Sequence, residues 1–120
     1  MRPILLAAAL TFVASSNLHA TEALLFDGGG YNIQILIGYE DHPVVAQVLF
    51  TPPGATNWIS LPRSLLHIEK FDIKKRILVM RFSNQNDPDL PRSFSLSVKK
   101  NDAVLSISGK QIKSPFDWTM

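Results

Sequence analysis

Asp27-Gly28-Gly29-Gly30 is where a nucleotide-binding reading of this chain would start, because the backbone amides of a glycine turn can cradle a phosphate. That chemistry needs a helix directly after the glycines, and here a strand-like alternation follows. The run is expected to be a flexible lead-in to the first long strand. Asn84, Asn86, Asp87 and Asp89 put several hard oxygens into one loop, the ligand type that calcium takes. Their spacing fits no standard calcium loop, and Pro88 and Pro91 account for the segment as a turn.

Other catalytic sets are incomplete. Beyond the first twenty residues the imidazoles are His42 and His67, whereas zinc catalysis draws on three protein ligands around an open position. The serines fall mostly on the polar sides of strand-like segments, and none sits in a Gly-x-Ser-x-Gly elbow. Cysteine is absent, which excludes a thiol nucleophile and any disulfide. Carboxylates are scattered, so a glycosidase pair has no particular candidate. The chain is therefore expected to be non-enzymatic, with no cofactor and no metal.

What remains is recognition chemistry. Lys70, Lys74, Lys75, Arg76 and Arg81 gather about one expected turn, and Lys99 and Lys100 mark another. If the two turns meet, they form a positive patch suited to an acidic partner surface. Trp58, near Pro53 and Gly54, is the candidate aromatic anchor. Trp58, Lys70, Lys74, Lys75, Arg76 and Arg81 are thus the expected partner-binding residues. A small-ligand or carbohydrate module is the alternative, with Tyr31, Tyr39 or Trp58 lining a concave site.

These side chains need a scaffold, and its period is two rather than 3.6. Tyr31, Ile33, Ile35, Ile37 and Tyr39 alternate with Asn32 and Gln34. Val44 to Thr51 is apolar on both faces and is expected inside a sheet. Glu40 to Pro43 turns the first of these segments into the second. A short strand from Trp58 to Leu61 ends at Pro62, and the ambiguous stretch Pro62 to Lys70 reads as a strand from Leu66 to Phe71. Ile77 to Phe82 is the expected central strand. Phe94 to Lys99 and Ala103 to Ser108 form a hairpin through Lys100-Asn101-Asp102, and a last strand, bent near Pro115, runs from Lys110 to Trp118. Seven or eight short strands predict an all-β, antiparallel sandwich or small barrel.

The first twenty residues read differently. Arg2 precedes an apolar run from Ile4 to Ala14, and a more polar stretch ends at Ala20. This zoning is that of an export signal, with cleavage expected after Ala20. The apolar run, about 11 residues, is shorter than the roughly 20 a membrane helix needs. Residues 21–120 are then one domain, periplasmic or secreted. With 12 basic against 10 acidic residues, and Arg2 in the leader, the charge is too balanced for a nucleic-acid binder. The sequence therefore points to an exported binding protein whose partner is another protein of the cell envelope, as an inhibitor or immunity protein of an envelope-active enzyme would be.

Overall fold

Ile33, Ile35 and Ile37 are completely buried while Asn32, Gln34 and Leu36 between them are half-buried, the signature of a strand with one face on a core. The same alternation recurs through the computed structural model, which describes residues 22–118. The expected leader, residues 1–20, lies outside the described residues. Nine strands result: β1 (Glu22–Gly28), β2 (Tyr31–Tyr39), β3 (Pro43–Thr51), β4 (Ile59–Ser60), β5 (Leu66–Asp72), β6 (Ile77–Phe82), β7 (Phe94–Lys99), β8 (Asp102–Ile107) and β9 (Lys110–Asp117). Among the described residues the helical content is one short 3-10 turn, Arg63–Leu65, just before β5.

All pairings are antiparallel, and the strands form a single sheet in the order β4-β3-β2-β1-β9-β8-β7-β6-β5. The chain thus makes two meanders, β1 to β4 and β5 to β9, joined where β1 meets β9. That join is short, with Leu25 opposite Asp117 and Phe26 opposite Phe116. The sheet curls until its distant strands touch. Phe50 of β3 stacks on Phe94 of β7 with ring centroids 5.2 Å apart, and Phe82 of β6 leans on the same ring at 5.6 Å. Phe26, Phe50, Phe82, Met80 and Leu105 fill the interior, each such side chain contributing about 1.5–3 kcal/mol by leaving water.

Several expectations change at this point. The all-β, antiparallel expectation holds, but as one curled sheet, nearer the barrel alternative than two stacked sheets, and the ninth strand is β1, which the sequence reading omitted. Gly29 and Gly30 are not a flexible lead-in. Both have positive φ, 60° and 84°, and they make the two-residue turn that pairs Gly28 with Tyr31. A turn with left-handed backbone at both central positions matches the twist of the strands it joins, and glycine takes that conformation without strain. Ile77 to Phe82 is not central either: β6 lies one strand from an edge, and β9 holds the middle of the order. β3 does lie inside the sheet, between β2 and β4, although β4 is two residues long and pairs only with Leu49 and Phe50.

Candidate functional site

In the second meander the turns after β5 and after β7 must fall at the same end, since β5 and β7, each antiparallel to β6, run in the same direction. Asp72 begins the first by accepting the Lys75 amide on its Oδ1 at 3.1 Å, and the Arg76 amide donates to the Ile73 carbonyl at 3.2 Å. Arg76 and Lys100 both adopt left-handed backbone, φ 56° and 58°. The two turns are tied directly: the Lys100 amide donates to the Arg76 carbonyl at 2.7 Å, and Arg76 Nη1 donates to Asn101 Oδ1 at 3.3 Å. The end of β9 locks them from below, with the Phe116 amide on the Asn101 carbonyl at 2.8 Å and the Trp118 indole N–H on the Lys100 carbonyl. Lys74, Lys75, Arg76, Lys99 and Lys100 are consequently gathered, exposed, at one end of the sheet.

The other expected residues lie elsewhere. Arg81 is four residues along β6 from its first residue, Ile77, about 13 Å at strand rise, and its guanidinium pairs with Glu69. Lys70 is exposed on the outer strand β5, opposite Val79. Trp58 is 45 % exposed but stands at the far end. The β3 end that begins at Pro43 borders Phe71 to Lys74, whereas the Phe50 end leads to Trp58. Trp58 and the basic turns therefore do not share a surface. The turn between β2 and β3, carrying Glu40, Asp41 and His42, borders the basic end. There the His42 ring holds the Asp41 carboxyl below its usual pKa through a 2.6 Å contact.

At the far end, Tyr31, Phe50, Ile59 and Leu90 line an open depression of about 350 Å³, with Asp89 and Arg92 on its margin. The adjoining loop is organised by Asn84. Its Nδ2 donates to the carbonyls of Asp87, Leu90 and Pro91 at 3.0, 3.3 and 2.7 Å, and its Oδ1 accepts the Asp87 amide at 2.8 Å. The carbonyl oxygens that a cation would recruit already receive an amide donor. Among the described residues no three His, Cys, Asp or Glu side chains are clustered as metal ligands. Tyr39, the third aromatic candidate, is exposed on the β2 end and donates its hydroxyl to Glu22.

The sequence reading missed Arg63. It lies in the stretch Pro62 to Lys70 that hydrophobic period leaves undecided, so no signal placed it against β3, where its Nη1 reaches the carbonyls of Val45 at 3.3 Å and Ala46 at 2.9 Å. Compared with known protein families, curated proteins and solved structures, the chain matches none of them, so the chemistry of these surfaces rests on their own geometry.

Proposed function

We propose that this chain is an exported, non-enzymatic protein of the bacterial envelope that binds another envelope protein through its basic end, as an inhibitor or immunity protein does. The observation that carries the reading is the direct tie between the two basic turns, Lys100 amide to Arg76 carbonyl at 2.7 Å. It turns two separate charge runs into one rigidly presented group of cations on a well-packed scaffold. Such a group speeds encounter with an acidic surface and orients it before short-range contacts form. The perturbed acid beside it, Asp41, is paired with its sequence neighbour His42 on an exposed turn rather than inside a cleft, which favours recognition over catalysis.

The test is association kinetics with an envelope protein captured from periplasmic extract and then purified. Lys74→Glu combined with Lys100→Glu is expected to slow association by about tenfold or more at low salt, with the difference shrinking as salt rises. An association rate that ignores both the double reversal and the salt removes the basic end as the docking surface.

A small-ligand or carbohydrate function is the second reading, and the depression containing Tyr31, Phe50 and Leu90 favours it. An aromatic floor with an acid and an arginine on its margin suits a sugar ring. Quenching or shift of the Tyr31 signal by a soluble glycan, lost in Tyr31→Ala, would move the assignment there.

A further inference from the structure

The sheet has two long edges that face each other, and what lies between them is a side chain. On β3 the outward carbonyl of Val48 accepts the Leu61 amide at 3.0 Å, continuing the short β4 ladder. The next outward carbonyl, two residues back, is that of Ala46, and there the donor is no longer backbone but Arg63 Nη1, at 2.9 Å. Facing it, β5 has β6 on one side and no ladder on the other among the described residues. Ile68 pairs with Met80, which is fully buried, so it points toward the interior, yet it is 39 % exposed. Val45, Ala46, Leu66, Ile68 and Arg63 border a narrow slot of about 50 Å³ along this seam. An interior-facing isoleucine left open to water, beside an edge whose acceptor is met by an exchangeable guanidinium, is an unfinished part of the sheet.

We propose that the seam between β3 and β5 accepts one extended segment of a partner protein as a tenth strand, with apolar side chains turned inward and a carboxylate turned toward Arg63. The inference rests on the reading of the chain as a protein-binding module, but it uses a different surface from the basic end. The occupant's chemistry follows from the margins. Inward residues of the incoming strand would cover Ile68 and Leu66, replacing water on apolar surface. Its backbone amide would take the Ala46 carbonyl, and Arg63, so released, would need an acceptor. Arg63 is the charged side chain bordering the slot, and the carboxylate of β5 nearest to it in sequence, Glu69, is already held by Arg81. An acidic strand is therefore complementary and a basic one repelled. A second copy of this chain suits the site less well, because its own edge strand arrives attached to a sheet while the slot is flanked on both sides.

The probe is a peptide of alternating valine and glutamate as long as β3, nine residues, titrated into the isotope-labelled protein while amide shifts are followed. Shifts are expected at Val45 to Gln47 and Leu66 to Lys70. They should vanish for the same peptide N-methylated at alternate residues, which keeps the side chains but removes ladder donors, and in Ile68→Lys, a change at an already exposed position. Replacing the glutamates by glutamine should weaken binding by about tenfold in the native protein and much less in Arg63→Gln, since a charge-assisted contact is at stake. Three results overturn the proposal: no binding at millimolar peptide, equal binding of the N-methylated peptide, or shifts confined to Lys74–Arg76 and Lys99–Lys100. The double variant Lys74→Glu, Lys100→Glu separates the two readings. Seam binding that survives while partner association slows leaves both standing; partner association that ignores the double reversal removes the basic end alone, and seam binding lost in the double variant removes the seam alone.

Discussion

Where β1 reaches β9, two backbone pairs, Leu25 with Asp117 and Phe26 with Phe116, carry the sheet from one meander into the other. Where β3 faces β5, the same two meanders come together with no ladder, and the Arg63 guanidinium stands on the Val45 and Ala46 carbonyls instead. The first junction buries Phe26, Phe116 and Trp118, and the rings of the last two meet edge to face at 5.0 Å. The second leaves Ile68 in contact with water. Backbone groups have to be paired whenever they are buried, so a backbone junction is fixed once the apolar residues around it leave solvent. A side-chain junction at the surface can be exchanged for a better donor at little cost. One curled sheet can therefore have a permanent closure and a replaceable one.

The sharpest way to break this comparison is Phe116→Ala. Truncating a buried aromatic at the permanent junction is expected to cost about 3–5 kcal/mol, read as a fall in the urea midpoint with the slope unchanged. A loss below about 1 kcal/mol, the value typical of an ordinary surface contact, would mean that the meanders are held together elsewhere.

Ser114→Ala probes the same junction more gently. The Ser114 hydroxyl donates to the Asp27 carbonyl at 2.6 Å, and Gly28 packs so close that a side chain there would stand 2.7 Å from the Ser114 Cβ. Removing the hydroxyl should cost about 1 kcal/mol, with faster hydrogen exchange confined to β1 and β9. Global acceleration of exchange would show instead that the local pairing and the whole fold open together.

How far these junctions could be read in advance depends on what sets them. Period-two alternation marks β2, β7 and β8 plainly, because Ile33 to Ile37, Phe94 to Val98 and Ala103 to Ile107 each bury one face. β1 escaped because Leu24-Leu25-Phe26 is a short apolar run soon after the apolar run Ile4 to Ala14, and because the glycines after it look like a linker until their φ values are known. The place of β9 at the centre is not encoded locally at all. Lys110 to Asp117 has Phe116 as its one fully enclosed residue, so by polarity it resembles an edge. Strand order follows from pairings distant in sequence, and no short window contains them. The two basic turns were legible one by one, but their meeting was not, because it depends on a strand order in which β5 and β7 run the same way. Arg63 was not, because its role depends on the β3 edge facing it, and Trp58 was detached from the basic turns by the direction of β3.

At the replaceable junction, Arg63→Ala should reduce stability by less than about 1 kcal/mol, in contrast to Phe116→Ala, because its shorter contact, on the Ala46 carbonyl, is exposed, the one on Val45 is only part-buried, and water can take its place. Thermal melts at equal protein concentration measure the difference. A drop comparable to that of Phe116→Ala would make the seam a structural closure and remove the physical basis for its opening to a partner.

The smallest effect belongs to another side-chain tie, at the start of β1, where pairing with β9 has ended. Tyr39 donates its hydroxyl to Glu22, and this hydrogen bond to the carboxylate raises the phenol pKa above 10.0, with partial desolvation and the nearby negative charge acting in the same direction. Because the folded-state pKa is the higher one, any stabilisation from the neutral phenol is present below the unfolded-state value and disappears as pH rises through the folded-state value. The contact lies at the surface, so the expected signature is spectroscopic rather than energetic. Subtracting the phenolate absorbance of Tyr39→Phe isolates this residue, and Glu22→Gln should return its titration toward lower pH without moving the melting temperature. An unchanged titration would show that Glu22 does not hold the hydroxyl in solution. A falling melting temperature would instead make this exposed tie a structural one, and the contrast between backbone and side-chain junctions would no longer hold across the sheet.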